Sequence, residues 1–159
     1  MFAVESMLND VHVKDATVGI QLVNSSLVMR NCTMNGGGGI QLTGSEPVSL
    51  TLDNASISTS SGNTINADLL NALDLSVTNS RLSASYRYRQ VTKLTCRGHL
   101  SIRIINSTMK STRGKTVETG GDVNLATVAV ENSIFTGQVD IGYFTSNLRH
   151  LVCFYSASA

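Results

Sequence analysis

Leu50-Thr51-Leu52-Asp53-Asn54-Ala55-Ser56 is echoed further along by Leu75-Ser76-Val77-Thr78-Asn79-Ser80. In both phrases two apolar residues alternate with polar ones, a variable residue follows, and an Asn closes the unit. The same phrase recurs outward in both directions: Leu27-Val28-Met29-Arg30-Asn31, Ile102-Arg103-Ile104-Ile105-Asn106 and Val128-Ala129-Val130-Glu131-Asn132, with Phe2-Ala3-Val4-Glu5-Ser6 as the first copy. The closing residues stand at 6, 31, 54, 79, 106 and 132, in steps of 25, 23, 25, 27 and 26. A period of this size marks a solenoid, in which each repeat packs only on its neighbours.

The alternation within each copy is that of a strand with one buried face. Asn tolerates left-handed backbone and bonds locally, so Asn31, Asn54, Asn79, Asn106 and Asn132 are expected to be structural anchors of a bend. An apolar residue returns three positions past the anchor in five copies, at Met34, Ile57, Leu82, Met109 and Phe135; in the first copy Leu8 follows Ser6 by two. A second apolar set fills the middle of the repeats: Ile20 with Leu22, Ile40 with Leu42, Leu69 with Leu73, Val123 with Leu125. Two or three short strands per repeat, stacked about 4.8 Å apart, give an all-β parallel β-helix of about six coils over residues 1–146. Residues 147–159 form a tail that folds over the last coil as a partial cap. Propeller blades need longer units, and a leucine-rich repeat needs a different phrase around its Asn.

Composition agrees with this class. Charged residues make up 14% and aromatics 5%, with thirteen Gly and a single Pro, so many short strands and turns are expected. No apolar run reaches the roughly 18–20 residues of a membrane-spanning helix. The start, Met1-Phe2-Ala3-Val4-Glu5-Ser6, lacks the basic and long apolar stretches of a signal peptide. Cys32, Cys96 and Cys153 form no C-x-x-C pair and read as free, partly buried thiols.

The phrases at 50–56, 75–80 and 128–133 resemble the passenger repeats of bacterial autotransporters, in particular adhesin passengers with a pertactin-like, right-handed β-helix. The resemblance implies an extracellular, cell-surface rod that adheres or self-associates. With neither leader nor translocator barrel, the chain reads as a fragment of a longer passenger.

Some β-helices cleave polysaccharides, and glycoside cleavage needs two carboxylates roughly 5–10 Å apart. The column before the anchors runs Glu5, Arg30, Asp53, Thr78, Ile105, Glu131, with no two acids adjacent. Asp68 and Asp122 share a phase but lie a coil apart, and the acids are not expected to stack. No catalytic residue is therefore assigned, and a pectin lyase-like enzyme is the alternative reading. Gly36 to Gly39 reads as a wide turn and Gly114-Lys115-Thr116 as a polar loop, since neither has the spacing of a phosphate-binding motif. His12, His99 and His150 are too dispersed for a metal site, and no cofactor is implied. The sequons at Asn31, Asn54 and Asn106 coincide with anchors, so stacked turn residues account for them; a fourth begins at Asn24.

Charge is the uneven feature. Nine of the twelve basic residues fall between 81 and 115, where no acid occurs, although the whole chain carries only +1. Tyr86 and Tyr88 alternate with Arg87 and Arg89. Arg87, Arg89, Lys93 and Arg97 are the candidate polyanion-binding residues. The expected partner is an anionic polysaccharide or host-surface ligand rather than nucleic acid, whose recognition motifs are absent.

Overall fold

The computed structural model describes residues 4–17, 19–86, 89–121 and 125–140. Every regular element in them is a strand. The first turn runs through β1 (Val4–Asn9), β2 (His12–Ala16) and β3 (Ile20–Val23). The second has β4 (Ser25–Arg30), β5 (Thr33–Gly36) and β6 (Ile40–Gly44), and the third β7 (Val48–Asp53), β8 (Ser56–Thr59) and β9 (Ile65–Leu69). The fourth has β10 (Leu73–Thr78), β11 (Arg81–Ala84) and β12 (Thr92–Cys96). In the fifth, β13 (His99–Ile105) is followed by one long strand, β14 (Thr108–Gly120). A partial turn, β15 (Leu125–Glu131) and β16 (Ile134–Asp140), follows.

All the pairings are parallel, between a strand and its counterpart in the next turn, giving a β-solenoid of about five turns. The first face is the sheet β1-β4-β7-β10-β13-β15. The second is β2-β5-β8-β11 and the start of β14, and the third is β3-β6-β9-β12 and the end of β14. Because β14 serves both, these two faces form one continuous sheet.

Inward residues stack as the alternation requires. Leu27, Leu50, Leu75, Ile102 and Val128 make one buried column of the first face, and Met29, Leu52, Val77, Ile104 and Val130 make the next. On the second face Met34, Ile57, Leu82, Met109 and Phe135 are buried in register. Ile20 with Leu22 and Ile40 with Leu42 stack on the third face, as expected. Leu69 and Leu73 separate: Leu69 belongs to the third face and Leu73 to the first, and the partners of Ile40 and Leu42 are Ile65 and Ala67. Leu125 opens β15 on the first face, while Val123 lies outside the described residues. Cys32 and Cys96 are buried and unbridged. Cys153 and the tail 147–159 lie outside the described residues.

The bends between the first and second faces have a specific chemistry. Asn31, Asn54, Asn79, Asn106 and Asn132 all have positive φ, between 46° and 53°. Most L-residues reach that region only at a cost of roughly 1–2 kcal/mol. The next position holds a small buried residue: Cys32, Ala55, Ser80, Ser107 and Ser133. At three of these positions the backbone N–H turns inward and meets a hydroxyl of the following turn. Ala55 N donates to Ser80 Oγ at 3.0 Å, Ser80 N to Ser107 Oγ at 3.1 Å and Ser107 N to Ser133 Oγ at 3.1 Å. This serine column satisfies donors that the bend removes from the sheet ladder.

The first repeat has a different register from the one the phrase suggests. Ser6 pairs with Leu27 and Asn9 with Arg30, so Asp10, with φ 55°, is the anchor and Ser6 begins the inward column. Val13 then stacks on Met34, three past its anchor like its counterparts. Glu5 leaves the column before the anchors, which runs Asn9, Arg30, Asp53, Thr78, Ile105, Glu131.

Gly36 to Gly39 makes the corner between second and third faces, with Gly37 N donating to Ala16 O at 2.8 Å. Gly114-Lys115-Thr116 is strand within β14, where its pairing with β16 shifts register, and is not a loop.

Candidate functional site

Twenty-odd residues encircle the rod once, so a basic run of 35 residues is wound around it. Arg81 and Lys110 stand on the second face, Lys93 on the third and Arg103 on the first. Arg89 lies in the connection from β11 to β12, and Arg97 in the short connection from β12 to β13. Arg87 and Tyr88 lie outside the described residues. The linear cluster thus becomes a belt around turns four and five. Arg81, Arg89, Lys93, Arg97, Arg103 and Lys110 are all exposed, and none forms an ion pair among the described residues.

The exception is Lys115. Its Nζ donates to Glu118 Oε1 at 2.6 Å and to Asp140 Oδ2 at 2.7 Å. Glu118 and Asp140 are register partners on β14 and β16, so two acids do stack on adjacent turns, contrary to the expectation from the anchor columns. That signal was hidden because the third face has no fixed spacing from the anchors. Both carboxylates are held on one ammonium group. Their shared ammonium makes the trio a clasp that holds β16 onto the fifth turn.

These bonds raise the pKa of Lys115 above its ordinary 10.5, the contacts with Asp140 first and Glu118 second. A raised lysine stabilises the fold fully below its unfolded value, and the contribution fades as pH climbs through the folded value. Lys115→Met is expected to speed amide exchange in β16 more than in β7 or β10. The difference in melting temperature from the wild type should persist from neutral pH to about 10.5 and shrink above it. Unchanged exchange in β16 would show that the clasp holds nothing.

A groove of about 360 Å³ runs along the bend between first and second faces. The anchors Asn54, Asn79 and Asn106 form one rim, and Ser56, Arg81 and Thr108, two residues on in each turn, form the other. Ala55 and Ser80 line the floor. Asn54 Nδ2 donates to Asn31 Oδ1 at 2.9 Å, and Asn106 Nδ2 donates to Asn79 Oδ1 at 3.4 Å. Asn79 Nδ2 reaches instead to Asp53 Oδ1 at 3.3 Å, so the amide ladder is broken between Asn54 and Asn79. On either side the pattern changes: His12 and Thr33 bond to each other, and Ile134 is an exposed apolar residue.

His12 and His99 stand on different faces, four turns apart, and His150 lies outside the described residues. Among the described residues no group of three His, Cys, Asp or Glu comes together as a metal site would require. No helix among them is long and apolar enough to cross a membrane. Set against known proteins, the chain matches no family model, no curated protein and no solved structure.

Proposed function

We propose that this chain is a non-enzymatic solenoid rod of the autotransporter-adhesin type, working at a cell surface through contacts with an anionic polysaccharide. The observation that carries this reading is the belt of six exposed cations lacking acid partners among the described residues. Uncompensated positive charge on a rigid β scaffold attracts polyanions with little conformational cost. In a heparin-affinity experiment, Arg89→Glu, Lys93→Glu and Arg97→Glu combined are expected to elute at lower salt than the wild type. The slope of log affinity against log salt should flatten by about one unit per cation removed. Elution at unchanged salt would refute the role of these residues.

Self-association belongs to the same proposal. Its support is the resemblance to passenger repeats, which implies a rod that adheres or self-associates. Sedimentation equilibrium is expected to show mass rising with concentration. A strictly monomeric species at high concentration would count against it.

A further inference from the structure

We infer that the corner groove of turns three to five is a binding site for a uronate polysaccharide, with Arg81 receiving a carboxylate and the flanking amides and hydroxyls receiving sugar hydroxyls. This rests on the polyanion reading above and gives it a place and a ligand class.

The first argument is the division of hydrogen bonding between floor and rims. At the floor, Ser80 Oγ is engaged both as donor and as acceptor, donating to Thr78 O at 2.6 Å and accepting from Ala55 N at 3.0 Å. At the rims capacity is left over. Among the described residues the Ser56 and Thr108 hydroxyls and the Arg81 guanidinium have no hydrogen-bond partner, and the Oδ1 atoms of Asn54 and Asn106 accept nothing. Five side chains with unused donors or acceptors, together with Asn79, therefore surround one recess, in three pairs set about 4.8 Å apart along the rod.

The second argument is the ratio of charge to neutral polarity. One guanidinium stands among five neutral hydrogen-bonding side chains, at the centre of the second rim. A nucleic acid or densely sulfated chain would call for a cation opposite each anion, and none of the lining residues is aromatic to stack a base. A uronate chain carries many hydroxyls for each carboxylate. Asn amides can both donate to and accept from hydroxyls, and a guanidinium can hold a carboxylate through two parallel bonds. The strand-to-strand repeat runs along the groove, so an extended oligomer would lie parallel to the rod axis.

The test is a titration of the ¹⁵N-labelled chain with a mannuronate oligomer, followed by amide shifts, with the methyl-esterified oligomer and heparin in parallel. Shifts are expected at Asn54, Ser56, Asn79, Arg81, Asn106 and Thr108. Arg81→Gln, at an exposed position, should weaken the acidic oligomer about tenfold or more, the scale of one charged hydrogen bond. Esterification should weaken wild-type binding to the same extent. Asn79→Asp, which places an acid in the groove, should weaken it as well, with melting temperatures of both variants checked against wild type. Shifts confined to Arg89, Lys93 and Arg97, or heparin binding without uronate binding, would overturn the groove and leave the polyanion reading standing. Binding to neither ligand would overturn both.

Discussion

Leu75→Ala is expected to lower the free energy of unfolding by about 2–5 kcal/mol, the range for deleting a buried leucine side chain. Leu75 is 1% exposed and sits in register between Leu50 and Ile102, with turns stacked on both sides. The backbone spacing of a parallel sheet is fixed by its hydrogen bonds, so the column cannot shorten to close the void. The cavity term should therefore remain largely uncompensated. Amide exchange ought to rise most in β7, β10 and β13, since each turn touches only its neighbours. Ser76→Ala, on the outward side of the same strand, should stay within about 0.5 kcal/mol of wild type. A loss at Leu75 no larger than at Ser76 in chemical denaturation would mean that the column is not packed as described.

Gly39→Ala should be nearly as damaging, for the opposite reason. A Cβ at Gly39 would lie 2.2 Å from Asn63 O and 2.4 Å from Thr64 O, both backbone atoms of the next turn. Thr64 O also accepts the Ile40 N–H at 2.9 Å, the bond that opens the third face there. The methyl group would force the two turns apart at that bond, and overpacking of this kind costs about 1–3 kcal/mol. Gly120→Ala is the matched comparison, because nothing lies within 4 Å of its added Cβ. That variant should be neutral or slightly more stable, through loss of chain entropy in the unfolded state. Equal melting temperatures for the two variants would rule out the close approach at Gly39.

Much of the first face could be read from the sequence because its phrase ties three signals together: alternation, a residue suited to positive φ, and an apolar residue three positions on. Where one signal is ambiguous, the phrase misplaces the bend. Phe2 and Val4 supply the alternation and Ser6 an acceptable end, yet the bend belongs to Asp10, whose companion Val13 completes the pattern. The third face was poorly legible because the corner before it varies in length. Its inward column begins at Ile20, ten residues after Asp10, but at Thr92, thirteen after Asn79. Leu69 and Leu73 look like one mid-repeat pair in the sequence yet fall on different faces, and the stacking of Glu118 on Asp140 is hidden for the same lack of register. The candidate groove was half visible. Its anchors were plain, but the unused hydrogen-bonding capacity beside them becomes apparent only when Ser56, Arg81 and Thr108 are set side by side.

The winding of sequence around the axis also bears on how such a rod can change. Neighbours along the chain form a ring, whereas neighbours along the axis are separated by a whole repeat. Exchanging one repeat therefore replaces a complete ring of surface chemistry while leaving the columns above and below able to dock on it. Altering a line along the axis, such as a rim of the corner groove, requires coordinated substitution in several repeats. Ring-like properties are modular in this architecture, and axial ones evolve only in concert.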